Sequence, residues 1–176
     1  MVNMIKYFLV FALLLGVGNV WSQDKLSRKE KKKIQKQEQL NEMIELVKDK
    51  NIEFVADRAF PSGWRSIDLI SNPNYLRLSN DSAKAEMPYF GRAYQSTPGE
   101  RGGINFDNKV SEKEMEINEK KGRISLSFEV KENNDVFRCQ LDIFHSGSAS
   151  LTVVSNNRQT ISYNGNVEEW KPEEKK

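Results

Sequence analysis

Hydrophobic and polar residues alternate with a period of two through the last third of the chain. Residues 124–130 alternate without a fault, which is typical of a strand with one buried face. The alternation continues in two further groups of apolar residues: Phe137, Cys139, Leu141 and Ile143, then Leu151, Val153, Ile161 and Tyr163. Three short joints separate the runs, at Asn133-Asn134, Ser146-Gly147-Ser148 and Asn156-Asn157. Because asparagine tolerates the positive φ of tight turns, residues 123–164 are predicted to form a four-stranded antiparallel meander.

Less regular apolar patterns predict further strands upstream, at residues 52–60, 67–70, 75–78, 83–87 and, as an edge strand, 108–118. The second and third of these flank Asn72-Pro73-Asn74, which is typical of a hairpin turn. Eight or nine strands with short joints predict a mainly β fold. We expect a single antiparallel β-rich domain over residues 51–167, shaped as a curved sheet, a sandwich or a small barrel. The polar residues 168–176 are predicted to form a loose tail.

Residues 23–50 contain neither glycine nor proline and predict one N-terminal α-helix. Ser27 and Glu30 fit a capping box at its start. The second half carries an apolar stripe that is expected to dock on the β-rich domain: Leu40, Met43, Ile44 and Val47. The first half is basic and is expected to be loose, either as a solvated tether or as a segment attracted to anionic lipid or to a partner.

Residues 1–22 predict a secretory signal peptide. Lys6 provides the positive start, and residues 7–17 form an apolar run that is shorter than the roughly 20 residues of a spanning helix. Cleavage is expected before Gln23, and no cysteine follows the run that would allow acylation. The protein is therefore expected to be periplasmic or secreted, not a lipoprotein, with no integral membrane span after cleavage. An N-terminal membrane anchor is the alternative interpretation.

Charge and reactive side chains argue against several classes of function. The net charge of +2 falls by one unit when the leader is removed, so the chain has no global attraction to nucleic acid. Its one cysteine, Cys139, is expected in the core, and its one histidine, His145, is expected in a turn. The sequence contains neither metal-ligand spacing nor a phosphate-binding glycine loop. No cofactor and no catalytic residue are therefore predicted.

The least regular part of the predicted domain, residues 85–107, combines aromatic, glycine, proline and arginine residues. It is expected to leave the sheet at Pro88, to use Gly91 for a backbone conformation closed to other residues, and to bend again at Gly102-Gly103. If the chain is extended there, Tyr89 and Phe90 point to opposite sides. Two interpretations stay open: a loop that plugs one end of the fold, or an aromatic groove for an apolar or anionic ligand. In the second, the candidate interaction residues are Tyr89, Phe90, Arg92, Tyr94 and Arg101.

The same segment carries a family resemblance. Met87-Pro88-Tyr89-Phe90-Gly91-Arg92-Ala93-Tyr94, followed by Gly102-Gly103-Ile104-Asn105-Phe106, resembles a pattern of the secreted Gram-negative family called domain of unknown function 4251. Phe54-x-Ala56-x-x-Ala59-x-Pro61 and Ile161-Ser162-Tyr163-Asn164-Gly165 are similar to other parts of that pattern, although Met87 stands where leucine is expected. The resemblance covers about residues 45–167. It implies an envelope location and supplies no activity and no catalytic residue.

These observations predict an exported, non-enzymatic β-rich module that is a monomer and binds a protein or an envelope component through its sheet face or the 88–106 loop. The alternative is a carrier that holds a small apolar or amphipathic ligand in a barrel-like cavity. An envelope hydrolase is a third, more distant hypothesis, because the 25 acidic residues leave paired carboxylates open. An apolar cavity beside Tyr89, Phe90 and Tyr94 would favour the carrier, and a filled interior with exposed aromatic residues would favour the binding module.

Overall fold

The computed structural model describes residues 27–94 and 102–171. Within them lie one helix and nine strands: α1 (Arg28–Asp49), β1 (Ile52–Pro61), β2 (Ile67–Asp68), β3 (Tyr75–Leu78), β4 (Ser82–Met87), β5 (Ile104–Asn118), β6 (Arg123–Glu132), β7 (Asp135–Phe144), β8 (Ser148–Ser155) and β9 (Ile161–Glu169). The predicted signal peptide, residues 1–22, and the candidate residue Arg101 lie outside the described residues.

Eight of the strands close into an antiparallel barrel. Neighbouring strands pair in the order β1, β3, β4, β5, β6, β7, β8 and β9, and β9 pairs back to β1. β2 is an extra strand that pairs with β1 along the same edge as β3. The prediction of a mainly β antiparallel fold with an N-terminal helix is confirmed, and of the three predicted shapes the barrel is the one that forms.

The predicted meander is confirmed as strands β6 to β9, each paired with the next. The first and second joints use positive φ, at Asn133 (51°) and Gly147 (83°). The expectation of positive φ at Asn156 and Asn157 is wrong. The buried Asp135 orders that connection instead, because its carboxylate accepts hydrogen bonds from the Ser155 hydroxyl at 2.6 Å and from the Asn156 N–H at 3.1 Å.

The predicted hairpin around Asn72-Pro73-Asn74 is wrong. β2 and β3 do not pair with each other, because both pair with β1. The buried side chain of Asn74 fills the gap between them: its Oδ1 accepts a hydrogen bond from the Ala56 N–H at 2.8 Å, and its Nδ2 donates to the Ala56 carbonyl at 3.0 Å. One amide side chain thus satisfies the donor and the acceptor that a strand neighbour would satisfy at Ala56.

The predicted edge strand over residues 108–118 is part of a longer strand with partners on both sides. The first part of β5 pairs with β4 and the second part with β6. A bulge between Ser111 and Glu114, with φ of 51° at Glu112, interrupts the ladder with β6. Such a bulge increases the local bend and twist of a strand, which suits a strand that changes partner along its length.

The barrel interior holds the hydrophobic core. Among the largest fully buried side chains are Phe54 on β1, Leu141 on β7 and Tyr163 on β9. Cys139 belongs to the same core, as predicted, and burial raises the pKa of its thiol. Because these strands alternate inward apolar with outward polar residues, closure of the sheet buries one face of every strand at once.

The second half of α1 adds Leu40 and Val47 to this core, which confirms the predicted docking. Met43 lies near the β7–β8 turn, with its methyl group 3.6 Å from the position of a Cβ on Gly147. The helix therefore covers the barrel end at which β7 finishes and β8 starts. The first half, predicted to be loose, is helical from Arg28 onward. The predicted capping box is confirmed, because the Ser27 N–H donates to Glu30 at 2.8 Å and the Glu30 N–H donates to the Ser27 hydroxyl at 3.3 Å.

The loose tail is predicted to start at residue 168, which is too early in the sequence. β9 continues to Glu169, because its last residues pair with the start of β1. The Trp170 N–H then donates to the Asn51 carbonyl at 2.9 Å, and the Trp170 ring lies 4.9 Å from the guanidinium carbon of Arg77. The C-terminal boundary of the folded domain therefore lies beyond residue 167.

Candidate functional site

Three sets of contacts fasten the segment of residues 88–94 to the barrel. The first comes from a tyrosine of the core. Tyr163 is fully buried on β9, and its hydroxyl donates a hydrogen bond to the Pro88 carbonyl at 2.8 Å. Burial raises the pKa of the Tyr163 hydroxyl, which keeps it protonated as a donor. The point at which the chain leaves β4 is thus tied to the centre of the core.

Tyr89 makes the second fastening. Its hydroxyl lies 2.9 Å from each of two carbonyl oxygens, those of Arg92 and Gln159, and its single proton is shared between these two acceptors. Burial raises the pKa of this hydroxyl as well. The guanidinium carbon of Arg158 lies 5.6 Å from the centre of the Tyr89 ring, within reach of a cation–π contact.

Backbone hydrogen bonds make the third fastening, between residues 92–94 and the β8–β9 connection. The Gln159 N–H donates to the Arg92 carbonyl at 3.0 Å, and the Tyr94 N–H donates to the Asn157 carbonyl at 2.7 Å. Ala93 and Arg158 form an antiparallel bridge between these two bonds. The segment is therefore joined to the β8–β9 connection by a single isolated β-bridge at the end of the barrel.

The structure divides the predicted site residues into two groups. Tyr89 and Phe90 are both partly buried and pack against the core, and they lie outside the strands. That the two rings point to opposite sides of an extended chain stays a prediction. Arg92 and Tyr94 are exposed, and Tyr94 is 67% accessible. The plug interpretation therefore fits the first pair and the surface interpretation fits the second, while Arg101 lies outside the described residues.

The three glycines of residues 88–103 agree only in part with the prediction. Gly91 does not use a positive φ; it is small because a Cβ there would lie 2.6 Å from the Tyr89 hydroxyl. Gly103 does have a positive φ of 122°, and a Cβ there would lie 2.8 Å from the Met87 carbonyl oxygen. A Cβ on Gly102 would meet open space. Only Gly103 therefore supplies the special backbone conformation expected of these residues.

Gly91→Val is expected to lower the free energy of unfolding by about 1–3 kcal/mol, because the new side chain would push the Tyr89 hydroxyl away from its carbonyl partners. Urea unfolding measures the change. The ring carbon that carries the hydroxyl would also lie 2.8 Å from the new Cβ, so the substitution should cost less in a Tyr89→Leu background, which lacks both atoms. An equal cost in both backgrounds would rule out the contact with the Tyr89 side chain as the cause.

Sequence reasoning missed a second exposed aromatic residue at this end of the barrel. Trp64 lies in the connection between β1 and β2 and is 75% accessible, and Arg65 beside it is also exposed. β1 ends at Pro61, which pairs with Ile161 at the start of β9, so this connection lies at the same barrel end as the β8–β9 connection. We call the connections 62–66, 88–94 and 156–160 the loop end.

Three grooves among the described residues lie on the walls of the barrel and not at the loop end. Their volumes are about 580, 400 and 310 Å³. The first is lined mainly by polar side chains on β5, β6 and β7, such as Glu116, Ser125 and Gln140. None of the three is lined by Tyr89, Phe90 or Tyr94.

The reactive side chains of the described chain are dispersed. His145 lies in the β7–β8 turn, as predicted, with its ring 3.2 Å from the position of a Cβ on Gly122. Within residues 27–94 and 102–171, no group of three or more His, Cys, Asp or Glu residues is arranged to hold a metal ion. In the same ranges, no helix is both long and apolar enough to cross a membrane.

These features define an eight-stranded antiparallel β-barrel with one extra strand, a helix over one end and a fastened segment at the other. The family model "Domain of unknown function (DUF4251)" matches residues 34–167, and the chain belongs to this family. The crystal structure of a DUF4251 family protein from Bacteroides eggerthii DSM 20697 is similar in fold, with a TM-score of 0.58 and 16% identity over 78% of this chain and 91% of that one. No curated protein matches the chain.

Proposed function

We propose that the protein is an exported, non-enzymatic module that binds a protein or another envelope component with its loop end. In this proposal residues 1–22 direct export to the periplasm or the exterior and are removed before Gln23. The module acts as a monomer and uses no cofactor.

One observation carries the proposal: two large aromatic side chains are exposed on a fastened backbone. Trp64 and Tyr94 are 75% and 67% accessible. The Tyr94 backbone is held by Asn157, and the preceding turn is held by the Tyr89 hydroxyl. Aromatic residues and arginine are enriched at binding hot spots, and a backbone that is already ordered loses little entropy on binding.

The core supports this function over the carrier. The inward positions of β6 to β9 are occupied by buried side chains, and the fully buried Tyr163 lies beneath the 88–94 segment with its hydroxyl on the Pro88 carbonyl. The grooves on the walls are open, and the one of about 580 Å³ is lined mainly by polar side chains, whereas a pocket for an apolar ligand is enclosed and mostly apolar. The buried Cys139 thiol and the position of His145 in a distant turn also favour binding over nucleophilic catalysis.

Site-specific photocross-linking tests the proposal. A benzophenone amino acid is placed at position 64 or at position 94 in the cells that produce the protein, and at Phe144 as the control. Phe144 is partly exposed but ends β7 at the other end of the barrel. We expect adducts, to protein or to lipid, from positions 64 and 94 and none from position 144. The absence of both kinds of adduct at 64 and 94, or the same adduct at all three positions, would refute binding through the loop end.

A further inference from the structure

The loop end combines exposed aromatic side chains with positive charge. Arg65 follows Trp64 directly, and Arg92 lies two residues before Tyr94. Both arginines are exposed. Arg158 adds a third cation in the β8–β9 connection, and the three connections that form the loop end contain no Asp or Glu. Each strongly exposed aromatic residue of this end therefore has a guanidinium within two positions.

Among the described residues, several acidic residues on the strands that adjoin these connections have polar partners of their own. Glu86, two positions before Pro88, accepts a hydrogen bond from the Tyr75 hydroxyl at 3.4 Å. Asp135 is buried and accepts hydrogen bonds from the Ser155 hydroxyl and the Asn156 N–H. Asp68 on β2 lies 3.9 Å from Arg58. Glu132, at the end of β6, accepts a hydrogen bond from the Asp107 N–H. These carboxylates do not reverse the sign of the charge in the connections, so the loop end is complementary to an anionic surface.

We propose that the loop end docks on the surface of a bilayer that contains anionic phospholipid. This inference rests on the proposed function and names the envelope component that is bound. Trp64 and Tyr94 would lie at the level of the lipid headgroups, where such rings are favoured, and Arg65 and Arg92 would pair with phosphate oxygens. The contact is peripheral, since side chains on two short connections reach only the interfacial region.

The arrangement of the aromatic residues favours a bilayer over a protein partner. Trp64 and Tyr94 project from separate connections, and neither lines any of the three wall grooves. Protein hot spots cluster in well-packed pockets that exclude water. Insertion at a lipid interface requires only that single rings protrude beside cations.

Tryptophan fluorescence provides a direct test. Without the leader the chain has two tryptophans, Trp64 and Trp170, so Trp170→Phe leaves Trp64 as the only reporter. The chain from Gln23 onward is mixed with vesicles of phosphatidylcholine containing 30% phosphatidylglycerol, or with phosphatidylcholine alone. We expect a blue shift of Trp64 emission, and co-sedimentation, with the anionic vesicles only.

Matched charge variants locate the contact. Arg65→Gln with Arg92→Gln should weaken binding to the anionic vesicles about thirtyfold, from roughly 1 kcal/mol for each cation near such a surface. The control is Lys120→Gln with Lys121→Gln, which removes the same amount of charge. These two lysines are exposed in the β5–β6 connection at the other end of the barrel, so the change should alter binding by less than about twofold.

Three results would overturn the bilayer assignment: no shift of Trp64 emission, the same shift with neutral vesicles, or equal weakening by the two pairs of substitutions. If the vesicles bound only the basic start of α1, Trp64 emission would not change. That outcome is the first of the three results and would also overturn the assignment. If any of these occurs while positions 64 and 94 still cross-link to a protein, the proposed function stands and only the lipid assignment falls.

Discussion

Gly165→Ala is expected to lower the free energy of unfolding by at least about 3 kcal/mol, at the upper end of the cost of overpacking. Gly165 lies opposite Ala56 in the ladder between β9 and β1, next to a bulge in β1. A Cβ at position 165 would overlap the Val55 carbonyl oxygen and lie 2.7 Å from the Ala56 Cα. Both are backbone atoms, so no side-chain rotation relieves the clash, and the two strands that close the barrel must separate locally.

Thermal unfolding and chemical denaturation measure the change, and we expect the melting temperature to fall by on the order of 10 °C. Gly102→Ala is the matched control. A Cβ on Gly102 meets no atom within 4 Å and its φ is not positive, so its effect should stay within about 0.5 kcal/mol. Equal stability of the Gly165→Ala variant and the parent protein would contradict the close approach of β1 and β9.

The strands of the meander were predictable because their information is local. In β6 and β7, period-two alternation and a two-residue joint define both strands and their register without reference to the rest of the chain. Closure of the barrel has no such local signal. It depends on β1 and β9, for example on Asn166 donating to Asp57 at 3.1 Å across 109 positions. The sequence therefore predicted the sheet and left the barrel as one of three shapes.

The candidate site was predictable only in part, for a physical reason. The aromatic and glycine content of residues 88–94 indicated an unusual segment, but composition does not reveal which rings are buried. Tyr89 became a core contact because the β8–β9 connection offers it a carbonyl acceptor at Gln159. Trp64 has the opposite outcome: no pattern in the sequence singles it out, and only the structure reveals that it is exposed.

Asn74→Leu is expected to destabilise the protein by about 2–5 kcal/mol. Leucine has a similar size, but it offers no partner for the N–H and the carbonyl of Ala56, which both lie in the buried gap between β2 and β3. Each buried backbone group that loses its hydrogen bond costs about 1–3 kcal/mol. The hairpin expected for residues 67–78 fails for the same reason, because the Asn74 amide replaces a strand neighbour of β1 and lets β2 and β3 share one edge.

Amide hydrogen exchange separates this cause from a general loss of packing. In the parent protein the Ala56 N–H is protected by Asn74, whereas in the variant it should exchange faster than the protected amides of β7, which lies away from the gap. Asn72→Ala is the control. The side chain of Asn74 bonds to the backbone carbonyl of Asn72, so removing the Asn72 side chain leaves the network intact. Unchanged protection of Ala56 in the Asn74→Leu variant would mean that another group fills the gap, and the barrel would then not depend on this amide.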